Sequence, residues 1–181
     1  MNDSNHQAIR IRVDEVSQLF NSLDPFPFHE RDLDANAEEF IVGWARELPG
    51  HAPLRIVVHL PRAQAETPAA RGLEEAVRRF FAYRAEVVGR DLHELFRVGR
   101  LSLMIGLAVL GICLAAGHFV TGRFGDGYLG RFLEEGLIIV GWVANWKPLE
   151  VFLYDWWPLT RRRDLYRRLA RAQVTVSADA E

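Results

Sequence analysis

Two stretches of the chain place charged side chains within reach of one another. Lys147 and Glu150 stand three residues apart, so a helix would carry them on one face with Tyr154 a turn further on. They border an apolar run. Burying a lysine alone near the centre of a bilayer costs on the order of 2.5 to 3.5 kcal/mol, less towards the interface, so the pair is expected to neutralise itself locally. Coupled in this way, Lys147, Glu150 and Tyr154 are candidates for an ion or proton pathway. The simpler alternative is a lysine that snorkels to the headgroups and a glutamate in the wet interface. The second stretch is LDPFPFHERDLD, from Leu23 to Asp34. His29, Glu30, Arg31 and Asp32 are the residue types of acid/base or metal chemistry, yet consecutive side chains do not converge on one point. Pro25 and Pro27 holding an extended loop, with acidic residues capping the next helix, is the more economical reading. Asp24, Pro25, Pro27, His29, Glu30 and Asp32 are therefore expected to form an interaction loop rather than a catalytic one.

Other chemistries find little support. His6, His51, His59, His93 and His118 show no HExxH or paired metal-ligand spacing, and the chain has no P-loop, GxSxG or GxGxxG. No catalytic, metal or cofactor residue is assigned. Cys113 is the single cysteine and lies in an apolar run, where it can form no internal disulfide and packs as a small side chain. The 22 Lys plus Arg against 24 Asp plus Glu leave a formal charge of −2, without global attraction to nucleic acid. Every basic residue but Lys147 is arginine, and six arginines fall between Arg161 and Arg171, beside the most aromatic stretch. That cluster reads as a topology and anionic-headgroup signal, not as a nucleic-acid surface.

The elements carrying these residues divide the chain. Leu101 to Val120 is twenty residues without a charge, ~30 Å as a helix, and reads as a first transmembrane span over 101–120. Gly136 to Trp146 is uncharged but short, and spans if the helix runs on through Pro148, giving a second span over 132–156. Trp142, Trp146, Trp156 and Trp157, followed by Arg161, Arg162 and Arg163, are the expected membrane-interface anchors. Arg84, Arg90, Arg97 and Arg100 precede the first span, whereas the connecting loop, 121–131, has only Arg123 and Arg131. The positive-inside bias then places both termini in the cytoplasm and the loop in the periplasm. Gly106, Cys113 and Gly117 on the first helix and Gly141 with Asn145 on the second are expected to pair the helices closely, the asparagine bonding across.

Before the membrane, Ile9, Ile11 and Val13 alternate with arginines, and Leu54, Ile56, Val58 and Leu60 repeat the pattern, which predicts two strands. Between them Leu33, Ala37, Phe40, Ile41, Trp44 and Leu48 recur at helical spacing. This β-α-β order predicts a parallel pair within an α/β domain at 1–62. A linker at 63–70 and an amphipathic helix at 71–100, with Gly89 and Gly99 as points of bending, lead into the first span. The basic tail, 157–181, holds a short helix and a third strand over 173–176 that could return to the sheet. The fold class is thus an α+β membrane protein: a small cytoplasmic β-α-β(-α) domain, a two-helix transmembrane hairpin and a basic C-terminal helix and strand.

The Leu23 to Asp34 motif, together with GWVANWKPLEVFLYDWWP from Gly141 to Pro158, resembles an uncharacterised family of small bacterial two-helix membrane proteins. The likeness runs from about Ile9 to Val176 and implies a bacterial inner membrane; it brings no activity or ligand. The functional expectations are a non-enzymatic membrane-tethered scaffold or adaptor, a subunit of an ion- or proton-transporting complex, or a membrane-bound enzyme or lipid-binding protein using the proline-rich loop. The partners expected are the bilayer with its anionic headgroups, and a second copy or a membrane complex.

Overall fold

A computed structural model describes residues 8–21, 32–49, 53–124 and 127–179. The chain divides into two compact units, one formed by Met1–Val88 with Arg161–Glu181, the other by Gly89–Thr160.

The first unit is built on three parallel strands, β1 (Ala8–Arg12), β2 (Arg55–Pro61) and β3 (Gln173–Asp179), in the order β1-β2-β3. Ile9 pairs with Ile56 and that with Val174; Ile11 pairs with Val58 and that with Val176. The period-two alternation puts these apolar residues on one face. Ile9, Ile56, Val58 and Leu60 are almost wholly buried there. The expected parallel pair is present, and β3 returns to the sheet, three residues longer than its apolar pattern suggested.

Helix α1 (Ala35–Glu47) starts at Asp34, whose side chain accepts a hydrogen bond from the Asn36 amide at 2.9 Å, satisfying a donor that the helix leaves open. It buries Ile41, Val42 and Ala45. Phe40 and Trp44, expected on the core face, are instead 45% and 50% exposed. They lie about 100° round the helix from Ile41 and Ala45, on the flank of the stripe, where their rings pack on each other at 6.2 Å. The segment 63–70, expected as a linker, folds as two short helices, α2 (Arg62–Ala65) and α3 (Pro68–Arg71). Its one proline, Pro68, starts a helix rather than preventing one. Pro68 takes a first-turn position, where its missing N–H costs nothing, and the Thr67 hydroxyl accepts from the Ala70 amide.

Helix α4 (Leu73–Phe124) is 52 residues long and continues through Gly89 and Gly99 without a break. Leu73, Ala76, Val77 and Phe81 from its first turns join the core of the first unit. Helix α5 (Tyr128–Ala144) follows, so the connection is shorter than the loop expected over 121–131. The second span is not the single helix expected over 132–156. Pro148 has no N–H for the Ala144 carbonyl, and α5 closes on a tighter bond from the Asn145 amide to the Trp142 carbonyl, 3.0 Å. The chain continues as α6 (Trp146–Glu150), a π-helical turn (Val151–Asp155) and α7 (Trp156–Leu169).

Two stretches, Leu73–Arg123 and Tyr128–Leu169, contain helices long and apolar enough to cross a membrane. Their apolar side chains face outward: Met104 and Ile112 are each 68% exposed and Phe119 is 72% exposed, which a helix in the core of a soluble protein would not show.

Candidate functional site

Within the second unit, α4 and α5 meet along a seam of small residues. An added Cβ on Gly106 would lie 2.7 Å from Asn145 Oδ1 and 3.0 Å from the Ala144 carbonyl; one on Gly141 would lie 2.7 Å from Leu110 Cδ1; one on Gly117 would lie 3.3 Å from Glu134 Cγ. Cys113 is buried against the same face. Asn145, 6% exposed, donates from Nδ2 to the Gly106 carbonyl across the seam and to the Gly141 carbonyl on its own helix, both at 3.0 Å. Its Oδ1 has no hydrogen-bond partner among the described residues. The expected pairing of the helices is therefore present, with one addition. Gly99, expected as a bend, extends the seam: its Cβ would lie 2.7 Å from Val151 Cγ1, at the start of the π turn.

Beside the seam, Lys147 Nζ donates to Glu150 Oε2 at 3.1 Å and to Asp155 Oδ2 at 3.4 Å. On a regular α-helix Asp155 would stand about 80° away from Lys147. The wider π turn takes more residues per turn and brings it back under the ammonium. The same turn leaves the Phe152 carbonyl to the Trp156 indole, which donates from Nε1 at 3.0 Å. Tyr154 is 69% exposed and takes no part in the charge cluster. Trp142, Trp146 and Trp157 are exposed as well.

In the first unit, α1, α4 and α7 are joined through one carboxylate. Arg84 donates from Nε and Nη2 to Glu38 Oε1 at 2.9 and 2.8 Å, and from Nη2 to Oε2 at 2.9 Å. Tyr166, 2% exposed, donates its hydroxyl to the same Oε1 at 2.8 Å. Arg162 donates to that hydroxyl from Nη2 at 3.2 Å. The Arg84 and Arg162 guanidiniums lie 5.8 and 5.6 Å from the centre of the Tyr166 ring, which stacks on Phe81. Burial acts against the Arg84 charge, but the hydrogen bond and charge of Glu38, with help from Tyr166, outweigh it and hold Arg84 above its ordinary range. Glu38 already accepts from Arg84 and Tyr166, which suits a staple between helices better than a catalytic group.

The structure thus brings Lys147 to Glu150, as their spacing implied, and adds Asp155, which sequence reasoning missed because no α-helical spacing connects them. The staple was also missed. Its members, Glu38, Arg84 and Tyr166, are far apart in sequence, and a glutamate in the first turn of a helix is common to many helices. Of the arginine anchors, Arg163 bonds to Asp164 and Arg162 to Tyr166. Asp24, Pro25, Pro27, His29 and Glu30 lie outside the described residues; Asp32 accepts a backbone bond from the Asn21 amide at 2.9 Å. No group of three His, Cys, Asp or Glu side chains gathers among the described residues in a way that would hold a metal ion.

The chain matches no family model, no curated protein and no solved structure. The resemblance noted in the sequence rests on its two motifs alone.

Proposed function

We propose that this chain is a two-span protein of the bacterial inner membrane that carries a cytoplasmic α/β adaptor domain and binds a partner without turning over a substrate. The observation that carries the reading is the parallel pairing of β3 with β2. Strands from before and after the hairpin share one backbone ladder, and an open sheet cannot straddle a hydrocarbon core. Both flanks of the hairpin then lie on one side of the bilayer. The arginines agree with the cytoplasmic side: Arg97 and Arg100 before the first span and Arg161, Arg162 and Arg163 after the second, with anionic headgroups as their partners, against Arg123 and Arg131 near the turn. The hairpin anchors, and the sheet domain is left to recognise.

A reporter active only outside the cytoplasm should give signal when fused at Gly125 and none after Glu181; the reverse would overturn the topology. Co-purification from native membranes then tests the adaptor role, which predicts a stoichiometric soluble or membrane partner. A second reading, an accessory subunit of an ion or proton pathway, is favoured by the Lys147, Glu150 and Asp155 cluster beside buried Asn145. Two helices enclose no pore, so this role needs an oligomer or a larger complex, recovered as a transporter in the same purification.

A further inference from the structure

Where the second span breaks, two oxygen acceptors come together in the seam. Pro148 has no N–H to give the Ala144 carbonyl, and the next amide, that of Leu149, bonds the Asn145 carbonyl instead, at 3.2 Å. The second acceptor is Asn145 Oδ1, in a side chain only 6% exposed, with no hydrogen-bond partner among the described residues. Turning the amide over gives no relief, since Oδ1 would then meet the Gly106 and Gly141 carbonyls and two N–H donors would lose their acceptors. Both oxygens border one spot: a Cβ on Gly106 would lie 2.7 Å from Oδ1 and 3.0 Å from the Ala144 carbonyl. Ser102, half-buried, stands one turn before Gly106 on the same stripe of α4 and adds a hydroxyl that rotates to donate or accept.

We propose that these groups bind one water molecule in the seam, which donates a hydrogen bond to each of the two oxygens and accepts one from the Ser102 hydroxyl. The site is independent of what the sheet domain recognises. Size selects the occupant first. Oδ1 is covered by its surroundings, so only a group as small as water reaches it. Energy points the same way: an amide oxygen left unbonded away from bulk water is costly, whereas a held water loses less than its hydrogen bonds return, and about three bonds is what buried waters commonly make. A monovalent cation fits worse. Two neutral carbonyls and a hydroxyl supply no counter-charge at membrane depth. One turn before Asn145 on α5 the seam is apolar by contrast, and a Cβ on Gly141 would meet carbon atoms of Leu110 and Cys113.

The test uses the full chain, isotope-labelled, in lipid bilayers, with magnetisation transferred from water to the protein by solid-state NMR. The Asn145 side-chain amide and Ala144 should build up signal at least about threefold faster than Cys113 and Leu110, which line the same seam. Pro148→Ala returns an N–H to the Ala144 carbonyl and takes one acceptor from the water, so it should slow the build-up at Asn145 by at least about twofold. Unchanged shifts of Gly117 and Glu134, at the other end of the seam, show that this variant still pairs its helices. A build-up at Asn145 no faster than at Cys113 overturns the proposal, whether both are slow or both fast. So does a build-up at Asn145 that Pro148→Ala leaves unchanged in a paired hairpin, because the released carbonyl would then hold no water. Shifts of Asn145 and Ala144 that move when sodium replaces choline at equal ionic strength, without fast transfer from water, would make this a cation site and overturn it as well.

Discussion

At the scale of single residues, the strongest interactions are charge-assisted hydrogen bonds, and they differ in how replaceable they are. Glu38 receives both Arg84 and Tyr166 in a half-buried site, so Glu38→Ala leaves two donors unmatched and should cost about 2 kcal/mol; Tyr166→Phe should cost about 1. Because the two substitutions remove the same Tyr166–Glu38 hydrogen bond, their effects should be non-additive by at least about 0.5 kcal/mol in a double-mutant cycle followed by thermal unfolding of the full chain. Lys147 presents the opposite case. It has two acceptors, so Glu150→Gln leaves Asp155 in place and Asp155→Asn leaves Glu150. Each single change should be nearly silent in protein abundance, whereas Lys147→Met and the Glu150→Gln, Asp155→Asn double should both lower it. A large effect of Glu150→Gln alone would show that Asp155 does not share the charge. The Lys147 and Glu150 contact was legible because it is local and helical; the share taken by Asp155 was not, since it depends on a π turn that residue types do not announce.

At the scale of elements, small residues decide how near two helices come. Without a hydrophobic force between helices in lipid, close packing and a few hydrogen bonds must hold the hairpin, which makes the seam intolerant of a single methyl group at its tightest points. Gly106 and Gly111 provide an internal comparison on one helix: a Cβ on Gly106 meets Asn145 Oδ1 at 2.7 Å, and one on Gly111 meets nothing within 4 Å. Gly106→Val should therefore destabilise the hairpin by about 1 to 3 kcal/mol in an SDS titration, and Gly111→Val should change it little. Equal effects would mean that the two helices do not pack at Gly106. The sequence carried most of this seam, because Gly106, Cys113 and Gly117 recur at spacings that fall near one stripe of the first helix, and Gly141 with Asn145 stand one turn apart on the second. It did not carry the break at Asn145. A run of apolar and aromatic residues through Pro148 is compatible with a kinked helix, and only the pairing of the Asn145 amide with the Trp142 carbonyl ends α5 there. The 63–70 segment misled for a related reason, since proline both breaks helices and begins them.

At the scale of the whole molecule, the apolar helical unit of Gly89–Thr160 is an insertion in a unit formed by Met1–Val88 with Arg161–Glu181. The alternating pattern of 173–176 hinted at this return, but sequence order alone makes a domain of 1–62 and a separate tail. In the structure 161–181 joins 1–88 in one unit: the Tyr166 ring stacks on Phe81, and β3 pairs with β2. A fragment holding residues 1–95 would lack α7 and β3, and would expose the face of Phe81 and the edge of β2. It should aggregate or self-associate in sedimentation, because unpaired strand edges and bare apolar surface invite it. Joining 1–88 to 161–181 should reverse this. Arg84 and Tyr166 are in contact through Glu38, and Val88 and Arg161 lie about one turn beyond them on their helices, so a Gly/Ser linker of about 15 residues, with an r.m.s. reach of roughly 20 Å, is long enough. The fused domain should sediment as a soluble monomer and unfold cooperatively, with Tyr166→Phe lowering its midpoint as in the full chain. A fusion that aggregates as the 1–95 fragment does would mean that the hairpin, and not the return of β3, is what holds the sheet together.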